Sequence, residues 1–198
     1  MAFEGLGKYN IIYADPPWRY NDRKCSGACE HHYNTMSIKE LCQLPIQNIT
    51  ADTCILFLWT TYPMLQEAIQ LINAWGFKYK TIGFQWIKLN KKVTNPLFIQ
   101  KNNMFFGLGR WTRGNTEPCL IAVKGKPKRI SNKVSQIILE PIGVHSKKPE
   151  IVKDKIIELV GDMPRIELFA RQKTEGWDVW GNETDKFHDI TQLKLLEE

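Results

Sequence analysis

No stretch of this chain approaches the roughly 18 uninterrupted apolar residues of a membrane span, and no charged-then-apolar leader opens it. Neither a membrane protein nor a secreted one is expected; the cytoplasm is. Cysteine is scarce and odd in number, five in 198 residues, which points to reduced thiols rather than a disulfide framework. Acidic residues are nearly missing from the middle: between Lys88 and Lys133, Glu117 stands alone against eleven Lys or Arg. The net charge is +6, so this basic middle sits in an otherwise mildly acidic chain, and a polyanionic partner is the expected consequence. A pair of solvated lysine-rich loops is the alternative on charge alone.

What is present is enough for one full core, with 43% hydrophobic residues and repeated punctuation by glycine and proline. The organising stretch is Tyr13-Ala14-Asp15-Pro16-Pro17-Trp18. It follows the apolar run Ile11-Ile12-Tyr13, read as a buried strand over 9–14, and the two prolines stop that strand because they lack donors and fix φ. A carboxylate, a stiff turn and an indole thus meet at a strand's carboxyl end, the edge where open α/β sheets bind ligands. That set suits a flat group bearing an amine: Asp15 and the Pro16 carbonyl each accept an amine hydrogen, and Trp18 stacks on the ring. A plain strand-to-loop turn with a surface Asp and a core Trp is the competing reading.

Residues 19–35 are polar and aperiodic and are expected to form a mobile loop beside the site, as are residues 89–117. Cys25, Cys29, His31 and His32 crowd into the first loop, but one compressed cluster without a second, distant ligand pair argues against zinc. Ser37-Ile38-Lys39-Glu40 has the form of a capping box opening a short helix to about Leu44. Cys54 to Trp59 is a continuous apolar run, the pattern of a central strand covered on both faces. A helix from Pro63 to about Trp75 follows, stopped by Gly76. Strands are expected over 78–88, 120–124, 165–170 and near 177–183, and an amphipathic helix over 149–160 ended by Gly161. Residues 107–117 form a Gly/Arg-rich connection, 124–133 lies on the surface, and 184–198 is a tail.

Several stretches in order carry a resemblance: Asp15-Pro16-Pro17-Trp18, His32 to Ser37, the Gly107 to Glu117 loop, His145-Ser146-Lys147-Lys148-Pro149, Glu167 to Arg171, and Trp177 to Glu183. Together they resemble the adenine N6-methyltransferases related to the catalytic subunit of the eukaryotic mRNA methyltransferase, and bacterial or phage members in particular. The resemblance implies a single α/β domain over 1–198: a Rossmann-like S-adenosylmethionine-dependent methyltransferase fold with circularly shifted motif order and a mostly parallel central sheet with helices on both faces. It implies transfer of a methyl group to the N6 amine of adenine, in DNA rather than RNA, in a bacterial or phage-infected cytoplasm.

By the same resemblance, Asp15, Pro16, Pro17 and Trp18 form the catalytic turn. Asp15, Lys148, Glu167, Arg171, Asn182 and Glu183 border the cofactor. Trp18 and Tyr33 face the base, while Arg110, Arg113, Lys126, Lys128 and Arg129 hold phosphates. No metal is required, because the sulfonium already activates the methyl and the enzyme's tasks are alignment and exclusion of water. Larger relatives carry an upstream acidic segment that helps hold the cofactor's adenine, so either weaker cofactor affinity or compensation by residues near Asn182 is expected. A homodimer or a paired subunit is a further expectation. The rivals are a catalytically silent nucleic-acid-binding partner and a methyltransferase acting on a protein amide.

Overall fold

The structure, a computed structural model, describes residues 3–20, 35–93, 100–109, 111–143 and 147–181. Seven strands form one sheet: β1 (Tyr9–Ala14), β2 (Thr50–Trp59), β3 (Lys78–Leu89), β4 (Thr116–Lys124), β5 (Ile137–Pro141), β6 (Arg165–Leu168) and β7 (Asp178–Trp180). Their order is β5-β3-β4-β2-β1-β6-β7. Only β4 runs against the others, antiparallel to both β2 and β3, while every other pair is parallel. The sheet's carboxyl edge therefore collects the ends of six strands and the start of β4.

Helices cover both faces, as a parallel sheet demands. On one face, α1 (Ile38–Cys42) and α2 (Leu65–Ala74) bring Leu41, Ala68, Leu71 and Ile72 against Ile12, Leu56, Leu58 and Ile166. On the other, α3 (Ile151–Val160) packs Val152, Ile156 and Val160 against Ile11, Phe57 and Trp59. The continuous apolar run of β2 is buried from Cys54 to Trp59, since alternate residues feed the two cores. Buried indoles keep their N–H groups paired: Trp75 donates to the Leu41 carbonyl at 2.9 Å, Trp86 to that of Glu140 at 2.8 Å, and Trp59 to the Tyr13 hydroxyl at 2.7 Å.

Local signals explain the element ends. Ser37 and Glu40 form the reciprocal capping box at α1. Gly161 ends α3 at φ +94°, a conformation that side chains resist. Three expectations change. β5 was not foreseen, β2 begins four residues before Cys54, and β4 begins four residues before Leu120, so Glu117 lies in a strand rather than a loop. The described part of 89–117 is tied down, with Phe105 N–H donating to the Lys88 carbonyl at 2.8 Å and Asn90 Nδ2 donating to the carbonyls of Asn102 and Met104. The ends of the 19–35 segment are clamped by an isolated bridge between Trp18 and Met36 and by Arg19 Nη2 donating to the Thr35 carbonyl at 3.0 Å.

Cys25, Cys29, His31, His32, Tyr33, Arg110, Asn182, Glu183 and the 184–198 tail lie outside the described residues. Among the described residues, no helix is long and apolar enough to cross a membrane.

Candidate active site

Asp15 is the first residue beyond β1 and shares the α3 face with Tyr13, two residues earlier. Its carboxylate accepts from Lys148 Nζ at 2.8 Å. The same ammonium lies 2.9 Å from Glu117, which in turn holds Lys88 at 2.7 Å. Carboxylates and ammoniums thus alternate along the carboxyl edge, from β1 through the chain before α3 to β4 and β3. Lys148 also lies over the Trp59 ring, 5.6 Å from its centroid.

Burial decides how these charges behave. Desolvation raises the Asp15 carboxyl above its ordinary value, opposed by the Lys148 ammonium and reinforced by the negative Glu117. Burial works against Glu117 too, but two lysines outweigh it and hold its carboxyl below the usual range. Lys148, although burial disfavours its charge, is held protonated far into the alkaline range by two carboxylates.

One step along the edge, Glu167 of β6 sits beside Tyr13 in register. Burial raises its carboxyl, and Lys153 of α3 lies 2.7 Å away. Lys153 is 5% exposed and also donates to Thr174 Oγ1 at 2.6 Å. Phe169 follows β6 at φ +61°, a backbone state rare for a bulky residue. Between the two carboxylate–lysine groups opens a narrow cleft of about 40 Å³, bordered by Asp15, Lys148, Glu167, Phe169, Arg171 and Gln172 among others. Its walls carry both signs of charge, which suits a zwitterion such as the aminocarboxypropyl sulfonium end of S-adenosylmethionine. At the cleft's rim Glu150 pairs with Lys147 at 3.0 Å and accepts from Gln172 Nε2 at 2.7 Å. A wider hollow of about 420 Å³, lined by Tyr9, Arg165 and Asp178, lies at the opposite sheet edge. It is roughly 20 Å from Asp15 by strand rise and plays no part here.

The expected site residues divide. Asp15, Lys148, Glu167 and Arg171 come together on the cleft. Trp18 does not offer its face: it is 5% exposed, packed in the core on the α1/α2 side, with its indole N–H donating to the Trp59 carbonyl at 3.2 Å. The bridge to Met36 pulls it under the sheet edge, so in this arrangement it anchors the turn. The Pro16 carbonyl accepts the Trp18 backbone N–H at 2.8 Å, leaving its second lone pair. Pro17 accepts from Met36 N–H at 2.8 Å and so fixes the turn from outside.

The expected phosphate contacts separate as well. Arg113 is exposed just before β4, at the carboxyl edge. Lys126, Lys128 and Arg129 are also exposed but follow the other end of β4, where Gly125 packs on Asp52 and Thr53. Because β4 is reversed, this half of the basic stretch lies about 20 Å from Asp15. Glu117, Lys88 and Lys153 were absent from the expected set. Charged residues are read as solvated unless something marks them, and only Glu117 carried a mark, its isolation among eleven basic residues.

A family model described as MT-A70 matches residues 9–183. The chain is 39% identical over 196 residues to the type II methyltransferase M.MunI of a Mycoplasma species, covering 89% of this chain and 78% of that protein. It is 28% identical over 186 residues to the human N(6)-adenosine-methyltransferase catalytic subunit METTL3, covering 92% of this chain and 29% of that one. Against the Arabidopsis thaliana N(6)-adenosine-methyltransferase MT-A70-like, identity is 27% over 180 residues, or 90% of this chain and 24% of that protein. The chain thus spans less than a third of these human and plant relatives. Motif order, the α/β sheet and a match over nearly all of the described sequence agree, and the chain belongs to the MT-A70 family of S-adenosylmethionine methyltransferases.

Proposed function

We infer that this chain transfers a methyl group from S-adenosylmethionine to the N6 amine of adenine in nucleic acid, with DNA favoured over RNA. The observation that carries the reading is Asp15, a carboxylate held at the sheet's carboxyl edge by Lys148, whose side chain is 10% exposed, beside a cleft walled by both signs of charge. The relatives named N(6)-adenosine-methyltransferases support adenine as the target. DNA is favoured because the relative named a type II methyltransferase shares 39% identity, against 28% or less for those named N(6)-adenosine-methyltransferases.

S-adenosylmethionine, when bound, supplies a methyl group already electrophilic on its sulfonium. The chain's own work is to hold and orient. Asp15 accepts one hydrogen of the adenine amine, and the free lone pair of the Pro16 carbonyl accepts the other, which turns the amine lone pair toward the cleft. Lys148 opposes the effect of burial on Asp15 and keeps it an acceptor. Lys153 and Arg171 supply cationic donors for a carboxylate, and Glu167 supplies acceptors for hydroxyl or amino groups. Arg113 at the rim is placed for a phosphate. Methylation acidifies the amine, so its surplus proton leaves without a strong base.

The test is mass spectrometry of nucleosides from DNA and RNA incubated with the protein and S-adenosylmethionine. Wild type is expected to produce N6-methyladenine, chiefly in DNA, and Asp15→Asn to lose about 10²- to 10³-fold in rate while still binding the cofactor by calorimetry. Unmethylated adenine in every wild-type sample overturns the reading.

A further inference from the structure

Between β3 and β4, described residues 100–109 and 111–115 form a narrow finger at the active edge. Its stem is set by Lys88 N–H donating to the Asn115 carbonyl at 2.8 Å, and its two strands touch where Gly107 N–H donates to the Gly114 carbonyl at 2.9 Å. Two glycines make the finger this narrow. A Cβ on Gly107 would lie 2.5 Å from the Gly114 carbonyl oxygen, and one on Gly109 would strike the Thr112 carbonyl. Neither glycine needs a positive φ; both need the absence of a side chain.

The finger's tip is apolar where solvent should favour charge. Trp111 is fully exposed, Leu108 is 75% exposed and Phe106 is 58% exposed. No acid occurs from Ala68 to Thr116, and exposed Arg113, Lys101, Lys91 and Lys92 surround the stem. Glu117, which holds Lys148 beside Asp15, lies only three residues beyond Gly114.

We propose that this finger is a wedge for duplex nucleic acid: Trp111, backed by Leu108, enters the base stack and fills the place vacated by the target adenine. The inference rests on the adenine-methylation reading above and adds how a paired base reaches Asp15. A paired adenine hides its amine in the stack, so reaching it requires extrusion and a substitute for the lost stacking. An indole on a narrow, acid-free finger supplies that substitute, and the surrounding cations hold the phosphates on either side. A protein partner is the lesser fit. Two aromatic side chains cover about 150–250 Å² each, well below the roughly 800 Å² per partner of a stable interface, and the rim offers only one sign of charge.

The experiment compares wild type, Trp111→Ala and Trp111→Phe on matched substrates: a duplex, the same strand unpaired, and a duplex with 2-aminopurine at the target position. Trp111→Ala is expected to lose roughly tenfold to a hundredfold in duplex methylation, the stacking worth of one aromatic side chain, and to stay within about threefold on the single strand. Trp111→Phe should recover most of the duplex rate. The 2-aminopurine fluorescence should rise with wild type and not with Trp111→Ala. Because Trp111 is fully exposed, the variants should unfold at the wild-type temperature. Equal losses on single and double strands, or none on either, overturn the wedge while leaving methylation intact. A change of oligomeric state in Trp111→Ala by sedimentation overturns it in favour of a protein interface. A wild type inactive on every substrate refutes the methylation reading itself, and with it the wedge.

Discussion

Replacing Lys148 by Met tests the charge arrangement around Asp15 most directly. The ammonium lies 2.8 Å from Asp15 and 2.9 Å from Glu117, so its removal leaves two carboxylates about 6 Å apart at most. Glu117 retains Lys88 at 2.7 Å, whereas Asp15 is left with only the weaker influence of Arg171. At a separation of about 5 Å and an effective dielectric of about 20, the repulsion is about 3 kcal/mol. That pushes the carboxyl still further above its ordinary value. Asp15, already raised by burial, is the group that takes the proton.

A carboxyl raised in the folded state binds protons on folding, so the variant's stability is highest below the unfolded value of about 4 and falls as pH rises through the raised one. The slope reaches about 1.4 kcal/mol per pH unit at most. In wild type, the lowered Glu117 contributes stability that is present above about 4.3 and lost as pH falls through its folded value. The raised Lys148 contributes until pH passes well above about 10.4. Both contributions are flat across the neutral range. Urea unfolding from pH 5 to 8 should therefore show Lys148→Met about 3–5 kcal/mol less stable than wild type at pH 8 and closing much of the gap by pH 5. Lys148→Arg, which keeps the charge, should not acquire the slope. A Lys148→Met profile parallel to wild type and within about 1 kcal/mol of it would refute the coupling.

Two other outcomes are expected from the fold. Ser37→Ala removes the Oγ that accepts the Glu40 N–H at 3.3 Å, and should cost about 1 kcal/mol in chemical denaturation with methylation nearly unchanged. Neutralising Lys126, Lys128 and Arg129 together should leave duplex affinity within about twofold at moderate salt, because they lie at the far sheet edge. A loss above about tenfold, read by fluorescence anisotropy across a salt series, would show that the nucleic acid wraps that far.

The legible parts of the chain were those where one physical demand dominates. β1 and β2 stand out because central strands covered on both faces carry near-continuous apolar runs, β6 because Ile166 and Leu168 alternate into one core, and α1 because its cap signal is local. β5 was hidden, being short, half exposed and ending in Pro141. The start of β4 was masked by Pro118 and by the glycine-rich finger before it, both of which read as loop. At the site, Asp15 was legible because two prolines stiffen the turn immediately after it. For Trp18 residue type leaves a stacking ring and a core ring equally open, and the structure packs it in the core with its indole N–H on the Trp59 carbonyl. Lys153 was invisible, since a lysine inside an amphipathic helix looks solvated until its carboxylate arrives from another strand.

The reversal of β4 has a consequence for how such a protein can diversify. Its beginning, rather than its end, supplies Glu117, and the uninterrupted pairing of Thr116, Glu117, Pro118 and Cys119 with Ile87, Trp86, Gln85 and Phe84 of β3 holds that beginning in register. The finger springs from the same end, so new tip residues and lengths can be tried between Gly107 and Gly114 while the ladder holds the acid still. The tip can then vary on a chassis whose charged edge never has to be rebuilt.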